Sequence, residues 1–593
     1  MIILMFADAI AGLLLPAIMA NIVDNGIIRG VVDGTPQTAY ILQMGLLMLG
    51  VTLAGGLATV GTGYLVPRIS AGAARSLRRD LFIKIESFSQ QEFDTFSSAS
   101  LITRSTNDVT QVQNIANMGR LIFFAPIMGI GGVTMALQQS VAMSWIIALA
   151  VIILLGFTLT IVPIVMPRFR LIQSMMDKLN KLSRETLHGL MVIRAFGTQD
   201  HEMDRFDKNN EEILITSLYL GRMMAIVGPM MMFIMSGTQM LVVWVGAHQI
   251  AASGLQIGDM MAFMQYCTLV IFSFMMITMI LIQVPRALVS AGRIVEVLET
   301  EPAIKDPTIS APIATDGINI SDTTIRKEYD KAKINAYDIA KKNAAEMDEK
   351  LSGIVTFNNV SFRYPAAEVD ALSKINFIAM PGKTTAIIGP TGAGKSTIAQ
   401  LLLRLYDVTG GIITVAGTDI RQVRLTDLRS KIGYVPQKGQ LISGTIASNI
   451  KYGNSSATDD EVIQAATVAQ AMSFIEERPE GLEAEIGQKG GNVSGGQRQR
   501  LSIARALAKN PDILVFDDSF SALDFQTDVK LRRALKNHAT HTTVIVIAQR
   551  IGTIKNADQI LVLDEGKIVG QGTHDDLMAS CPQYMEIASS QGI

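Results

Sequence analysis

The chain has 593 residues, a formal net charge of −2 and a mean hydropathy of +0.32. This balance, with no basic stripe interleaved with aromatic residues, excludes nucleic acid as an expected partner. The two cysteines, Cys267 in an apolar segment and Cys581 near the C-terminus, provide no disulfide framework, as expected of a chain whose soluble part is cytosolic.

Six apolar segments occupy the first half of the chain, each near the roughly 20 residues that a helix needs to cross a bilayer. The first segment lacks the basic start and the small-residue cleavage site of a secretion signal, and five more follow it. The sequence therefore predicts a six-helix transmembrane domain over residues 1–300. The segments are residues 2–22, 41–66, 121–137, 142–166, 223–247 and 258–284.

Lysine and arginine are distributed unevenly between the loops that join these segments. Loop 67–120 carries seven and loop 167–222 carries nine, whereas the remaining loops together carry only Arg29. By the positive-inside rule the two basic loops lie in the cytoplasm, and six crossings place both termini there as well. Apolar residues at helical spacing predict that both loops are long helical hairpins. We expect their tips near residues 103–108 and 196–204, where they could contact a cytosolic domain.

One carboxylate, Asp8, lies inside the first apolar segment. An ionisable residue within a membrane span is a candidate for a functional role. The alternative is that Asp8, close to the N-terminus, only reaches the membrane interface.

Residues 301–350 separate the apolar half from a soluble half and are dense in charged residues. A weak apolar stripe follows Asp322, which could cap a helix through 323–349. We expect a charged, partly helical linker, with a soluble domain over residues 351–593.

The stretch GPTGAGKS, residues 389–396, fits the phosphate-binding pattern G-x-x-x-x-G-K-[ST]. An apolar strand precedes it and a helix follows, so backbone N–H groups and a helix N-terminus would surround the phosphates of a nucleotide. Lys395 would bind the β and γ phosphates, and Ser396 would bind Mg²⁺. The predicted ATP-binding residues here are Gly389, Thr391, Gly392, Gly394, Lys395, Ser396 and Thr397.

Two further stretches carry chemistry. In VFDDSF, residues 515–520, an apolar run ends in Asp517 and Asp518, as expected of a buried strand that delivers acids to a phosphate and its metal. VSGGQRQR, residues 493–500, offers free N–H groups at the start of a helix but has no lysine. It cannot form a phosphate site alone and needs a partner surface.

With these motifs in order, nearly the whole chain resembles the ATP-binding cassette (ABC) exporters of the half-transporter type. In such proteins a six-helix transmembrane domain is followed by an α/β P-loop nucleotide-binding domain. The matching stretches are FRYP (362–365), GPTGAGKST (389–397), YVPQ (434–437), VSGGQRQR (493–500), ILVFDD (513–518), SALD (521–524), VIVIAQR (544–550), GLQIGDMMAFMQY (254–266) and GRIVEVLE (292–299).

The resemblance implies roles for single residues. Tyr364 would stack on adenine, Gln437 would contact Mg²⁺ or the attacking water, and Asp517 would hold Mg²⁺ through water. Two cassettes would face head to tail, so that each ATP lies between one P-loop and the other chain's signature. Asp524 would shape that dimer interface, and the signature residues for the partner's ATP would be Ser494, Gly495, Gly496 and Gln497.

The chain departs from the family at the ATP site. Position 518 is Asp where the family has a Glu general base, and position 549 is Gln where the family has His. Gln488 also replaces a usual Glu. A base must come within about 2.6–3.2 Å of its proton, directly or through one water, which a side chain one methylene shorter would miss. Gln can donate a hydrogen bond but cannot carry charge or relay a proton.

These departures predict the degenerate-site subunit of a heterodimeric exporter. Its own site would bind ATP and hydrolyse it poorly, while its signature completes the site of a different chain that carries Glu and His. The subunit would move hydrophobic or amphipathic compounds, such as drugs or lipids, out across a bacterial cytoplasmic membrane. The alternatives are a homodimeric exporter or lipid flippase with Asp518 as a working base, and an ATP-gated regulator or channel.

Overall fold

The computed structural model describes residues 1–32, 37–252, 254–307, 353–365 and 367–592. They form two compact units, Met1–Glu86 with Ser98–Thr300, and Ser87–Ser97 with Glu301–Ile593. Most of the predicted linker 301–350, including its predicted helix, lies outside the described residues.

The first unit contains six helical spans that are long and apolar enough to cross a membrane, which confirms the six segments predicted from sequence. The side chains of Leu42, Leu46, Leu53 and Leu57 are 60–74% exposed along one of them. Such exposure is unfavourable in water but suits lipid, since lipid tails are as apolar as leucine. The spans are Ile2–Val32, Thr38–Glu86, Ser98–Gln139, Val141–His188, Gln199–Ala251 and Ile257–Glu299.

The α-helices extend well beyond the predicted apolar segments, because they continue through Pro67 and Pro167, the residues directly after two of the predicted segments. π-helical turns at Ile22–Ile28 and Arg104–Asp108 interrupt the first and third spans. In chain order the α-helices up to residue 299 are α1 Ile2–Asn21, α2 Arg29–Val32, α3 Thr38–Glu86, α4 Gln90–Thr95, α5 Ser98–Thr103, α6 Val109–Asn117, α7 Gly119–Gln139, α8 Ser144–His188, α9 Leu190–Phe196, α10 Gln199–Ala251 and α11 Ile257–Glu299, of which α4 lies in the second unit.

Small residues allow close packing between the membrane helices. A Cβ on Gly132 of α7 would lie 2.9 Å from the Val270 side chain of α11, and one on Gly55 of α3 would lie 2.9 Å from the Ala11 Cβ. Close backbone approach of this kind replaces the hydrophobic effect as the source of helix association in lipid. The Tyr266 hydroxyl also donates to the Leu13 carbonyl at 2.9 Å, which ties α11 to α1.

Asp8 joins three of these helices. Its carboxylate accepts from the Thr59 hydroxyl at 2.8 Å and pairs with the Arg120 guanidinium at 2.9 Å. The Asp8 side chain is 13% exposed. The structure thus gives this carboxylate partners on α3 and α7, neither of which a local sequence pattern indicates.

A double-mutant cycle of Asp8→Asn and Arg120→Gln should therefore give a coupling free energy of unfolding within the range of about 0.5–3 kcal/mol found for contacting residues. The exposed pair Lys181–Glu185, with side chains 75% and 51% exposed, is the matched control and should give about 0.3–0.5 kcal/mol. Denaturant unfolding of the full chain in detergent measures both cycles. Equal coupling in the two cycles would contradict a stabilising role for the Asp8 pair.

The first cytoplasmic hairpin turns earlier than predicted. Its tip is the segment Ser87–Ser97, which belongs to the second unit, and not residues 103–108. A capping box between Ser89 and Glu92 starts the short helix α4. Residues 103–108 remain helical because Asp108 is buried against α11, where it accepts from the Ser290 hydroxyl and pairs with Arg293. The second hairpin turns at Gly197, which has φ +65°, within the predicted range.

Two side chains of the tip segment bond within the second unit. The Tyr406 hydroxyl donates to Asp94 at 2.6 Å, and the backbone N–H of Ala303 donates to Glu92 at 3.0 Å. The ring of Tyr406 lies edge-on to that of Tyr364, with centroids 5.3 Å apart.

Among its described residues, the second unit contains three sheets. The first has six strands in the order β12-β11-β3-β10-β9-β6, and only its edge strand β12 runs antiparallel to its neighbour. The second has four antiparallel strands in the order β2-β1-β4-β5. The third is the antiparallel pair of β7 and β8. The strands are β1 Val355–Phe362, β2 Leu372–Ala379, β3 Thr384–Ile388, β4 Gly410–Val415, β5 Thr418–Asp419, β6 Ile432–Val435, β7 Gly444–Thr445, β8 Glu485–Ile486, β9 Ile513–Asp517, β10 Thr543–Ile547, β11 Gln559–Asp564 and β12 Lys567–Gly572.

The central strands of the six-stranded sheet are buried on both faces, as is typical of parallel sheets. Along β9, Val515 packs in one hydrophobic core and Phe516 in the other. Because the adjacent strands β3, β10 and β9 are parallel, their carboxyl ends meet at one edge of the sheet. Ligands bind at this edge in open α/β sheets. The helices of this unit are α12 Lys395–Leu402, α13 Leu425–Ser430, α14 Ile446–Lys451, α15 Asp459–Val468, α16 Met472–Glu476, α17 Gly495–Ala508, α18 Phe525–His538, α19 Ile551–Ile554, α20 His574–Ser580 and α21 Pro582–Ser590.

Candidate functional site: a nucleotide site at the strand ends

The loop between β3 and α12 requires glycine at three positions. Gly392 and Gly394 have φ +88° and +92°, in the left-handed region that favours glycine. At Gly389 a Cβ would overlap the carbonyl oxygen of Leu563 on the neighbouring strand β11. The turn therefore passes close to the sheet and leads directly into the N-terminus of α12, which is a favourable place for phosphate.

Lys395 begins α12 and folds back over this loop. Its ammonium group donates to the carbonyls of Gly389 at 2.8 Å and Pro390 at 2.7 Å. Burial lowers the pKa of Lys395, and the nearby carboxylates of Asp518 and Asp517 oppose that shift. The ammonium group thus donates to neutral carbonyl acceptors at the loop. A phosphate oxygen could replace these carbonyls as the acceptor and would form a stronger, charge-assisted hydrogen bond.

Asp517 ends β9 and faces the start of α12. Its carboxylate accepts from the Ser396 hydroxyl at 2.8 Å and from the Tyr434 hydroxyl at 3.3 Å. Burial raises the pKa of Asp517, while the two hydroxyl hydrogen bonds lower it. A carboxylate and a hydroxyl are the oxygen ligands that Mg²⁺ uses beside substrate phosphates, so this pair fits the predicted ion. No group of three or more His, Cys, Asp or Glu side chains with metal-binding geometry occurs among the described residues.

Asp518 is the centre of a second group of side chains. Its Oδ2 accepts from the amide of Gln549 at 2.9 Å and from the amide of Gln437 at 3.2 Å. Its φ of +47° lies in the left-handed region, and its side chain is largely buried. Burial raises the pKa of Asp518, and the Gln437 hydrogen bond and the Lys395 charge oppose this shift. The structure thus brings together Asp518, Gln437 and Gln549, the three predicted catalytic residues.

Tyr364 lies beside the first turn of α12. Its hydroxyl donates to Gln400 at 2.9 Å and is 3.0 Å from the Thr397 hydroxyl. The half-buried ring packs edge-on against Phe362 and Tyr406. Tyr364, the predicted adenine-stacking residue, is therefore connected through Thr397 to the helix that follows the phosphate loop. Thr391, on the loop itself, is exposed.

The predicted signature forms the N-terminus of α17. Ser494 caps this helix, because its hydroxyl accepts from the Gln497 backbone N–H at 3.2 Å and its own N–H donates to the Gln497 side chain at 3.0 Å. Ser494 and Gly495 are both exposed. Asp524 has the same role at α18, where it accepts from the Thr527 N–H at 2.9 Å. This backbone hydrogen bond lowers the pKa of Asp524.

Sequence reasoning missed Gln499, which joins the signature helix to the loop that carries Gln437. Its amide donates to the Pro436 carbonyl at 3.0 Å and accepts from the Gly439 N–H at 2.9 Å. Gln499 is 1% exposed. A polar residue at a buried position of an otherwise amphipathic helix was the available signal.

Comparison with known proteins places these observations in a family. A model described as "ABC transporter transmembrane region" matches residues 1–274, and one described as "ABC transporter" matches residues 372–521. An uncharacterized ABC transporter ATP-binding protein of Mycobacterium tuberculosis is 38% identical over 100% of this chain and 95% of its own length.

Two further similarities are more distant. An ATP-dependent lipid A-core flippase of Haemophilus ducreyi is 30% identical over 94% of this chain and 90% of its own length. The structure of a bacterial Atm1-family ABC exporter with ATP bound matches with a TM-score of 0.75 and 24% identity, over 100% of this chain and 97% of that one. The structural match shows the same fold.

Proposed function

We propose that this chain, which belongs to the ABC transporter family, is one subunit of an ATP-driven exporter whose own ATP site binds nucleotide and hydrolyses it slowly. Family membership establishes an ATPase transporter with a multi-pass membrane region and an ATP-binding domain in one polypeptide. The slow site, the partner and the class of cargo are the new parts of the proposal.

The binding half of the site is complete. Lys395 lies at the glycine loop, where its ammonium group donates to the carbonyls of Gly389 and Pro390. Ser396 and Asp517, joined at 2.8 Å, would hold Mg²⁺ with the nucleotide, where the ion would neutralise phosphate charge. Nothing in this half departs from what ATP binding needs.

The observation that carries the proposal is the pair of amides on Asp518. Gln549 and Gln437 both donate to one oxygen of its carboxylate, at 2.9 and 3.2 Å. A general base must accept a proton from water, and two amide donors on one oxygen occupy acceptor directions that such a water would need; the Gln437 hydrogen bond also opposes the rise in pKa that burial gives Asp518. Because Gln549 cannot take up or release a proton, it cannot relay one from this site.

The signature supports a role in a second site. Ser494 and Gly495 are exposed at the N-terminus of a 14-residue helix, where the helix dipole and the first N–H groups stabilise an anion. The partner would be a second half-transporter, a different chain with Glu and His at the positions of Asp518 and Gln549. Its nucleotide would lie against this chain's signature, and Asp524 would lie at the interface.

The proposed cargo is a hydrophobic or amphipathic compound, exported across a bacterial cytoplasmic membrane. The lipid A-core flippase among the relatives favours an amphipathic lipid over a polar solute. The excess of Lys and Arg in loops 67–120 and 167–222 favours a cytoplasmic location for both termini and for the nucleotide-binding domain.

The test compares the wild-type chain with Asp518→Asn, each purified alone at full length in lipid discs. We expect both to bind ATP with similar affinity and to turn it over at rates within about twofold, because a base that contributes little loses little of the roughly 10²- to 10⁴-fold effect of general base catalysis. Lys395→Ala is the control that should lose ATP binding.

Turnover by the wild type that exceeds Asp518→Asn by two orders of magnitude would overturn the slow site. It would support instead a homodimeric exporter or flippase with Asp518 as its base. ATP binding without substrate movement in vesicles, even with the partner present, would support a regulator or channel.

A further inference from the structure

The side chain of Gln591, just beyond helix α21, bonds to the turn that carries Gln549. Its amide nitrogen donates to the Gln549 carbonyl at 2.8 Å, and its amide oxygen accepts from the Ile551 N–H at 2.8 Å. One primary amide thus bonds to two backbone groups two residues apart, as a neighbouring strand would.

Both backbone groups lie between regular elements. Strand β10 ends at Ile547, and Ala548 makes the last bond to strand β3, through the Ile387 carbonyl. Ile551 is the first residue of the short helix α19, and the first N–H groups of a helix have no partner within it. The Gln591 amide satisfies the groups on both sides of Arg550 and so fixes the path of the backbone from 549 to 551.

Helix α21, which directly precedes Gln591, is packed into the hydrophobic core. Tyr584 and Ala588 are fully buried in the same hydrophobic core as Ile551 and Ile554. Residues 584, 588 and 591 follow helical spacing, which places Gln591 near the same face as the two buried residues. The Tyr584 hydroxyl is also 2.8 Å from the His574 imidazole nitrogen, which ties α21 to α20.

The Gln549 backbone sets the position of its side chain, whose amide donates to Asp518 at 2.9 Å. We propose that Gln591 is a positioning residue of the ATP site: it does not touch nucleotide, and it holds Gln549 where its amide donates to Asp518, whose carboxylate lies near the Lys395 charge at the phosphate loop. The proposal concerns geometry and holds whether the site hydrolyses ATP slowly or quickly.

The test uses the full-length chain in lipid discs and two measurements that need no hydrolysis. Hydrogen exchange of the peptide that covers residues 549–554 reports the Ile551 N–H directly. The ratio of the ADP and ATP dissociation constants reports how well the site recognises the terminal phosphate. Turnover, which decides the slow-site proposal, enters neither measurement.

We expect Gln591→Met to raise exchange of this peptide and to lower the preference for ATP over ADP, each by about fivefold, as for the loss of a typical hydrogen bond. Gln591→Glu keeps an acceptor for Ile551 and loses the donor to the Gln549 carbonyl. It should therefore lower the ATP preference while exchange stays close to that of the wild type.

The matched control is Gln583→Met on the same helix, since Gln583 is exposed and accepts a weak hydrogen bond from the Cys581 thiol, away from the Gln549 turn. It should leave both measurements unchanged. The proposal is overturned if Gln591→Met matches this control in either measurement, because faster exchange without a change in phosphate recognition would make Gln591 a helix anchor only.

Discussion

Replacing Asp518 by Glu and Gln549 by His in one chain is expected to raise ATP turnover by about 10²- to 10⁴-fold, the usual contribution of general acid–base catalysis. Glu extends the carboxylate by one carbon–carbon bond beyond the position where it now meets two amides. His at 549 replaces a fixed donor with a group that can change its protonation state near neutral pH. The rest of the site, from Lys395 to Asp517, already has its contacts.

The measurement is phosphate release by the purified full-length variant in lipid discs, beside the wild type and each single change. A homodimer of the variant has two intact signatures, so no second gene product is required. Glu tolerates the φ of +47° at position 518 less well than Asp, and the unfolding temperature of each variant shows whether the backbone accepts it. If the double variant folds, binds ATP and still hydrolyses no faster, the two substitutions are not the cause of slow turnover.

Gly389→Ala is expected to abolish ATP binding and to lower the stability of the soluble unit. The new Cβ would overlap the Leu563 carbonyl oxygen, which is part of strand β11 and cannot rotate away as a side chain could. The loop or the strand must then shift, at the upper end of the about 1–3 kcal/mol that overpacking typically costs. Because the same loop surrounds the phosphates, a small shift there also removes their N–H donors.

ATP binding and thermal unfolding of the full-length chain measure the two effects. The matched control is Gly552→Ala in helix α19, where a Cβ would meet nothing within 4 Å. That change should leave binding intact and stability equal or slightly higher, since Ala is favoured over Gly inside a helix by about 1 kcal/mol. Wild-type ATP affinity in Gly389→Ala would show that the loop has more freedom than its contact with β11 implies.

The features that follow from local chemistry could be predicted from the sequence. The strand Thr384–Ile388 lies before the phosphate loop and a helix begins at its end, at Lys395, as the motif predicted. Six apolar segments sufficed to predict six membrane helices. In each case a short stretch of sequence is enough to predict the local structure, because an apolar run of membrane length or the glycine pattern of a phosphate loop is typical of one local structure.

Contacts between residues distant in sequence could not be predicted in this way. Asp8 pairs with Arg120 across 112 residues, and Gln591 bonds to Gln549 across 42. A side chain's partner in such cases is set by how whole elements pack, which no local pattern records. The first hairpin tip was misplaced for the same reason, since Asp108, within the predicted tip 103–108, is paired with Ser290 and Arg293 of α11.

The bond between Tyr406 and Asp94 has a consequence for how nucleotide could be sensed. Tyr406 packs edge-on against Tyr364, so a base stacked on Tyr364 would be one side chain away from a segment that joins two long membrane helices. This series of contacts, from Tyr364 through Tyr406 to Asp94, would begin at the adenine of the nucleotide. It includes none of Asp518, Gln437 and Gln549. ATP binding and ATP hydrolysis would then act on the tip segment separately. A subunit that rarely hydrolyses ATP would still transmit the binding of ATP to that segment.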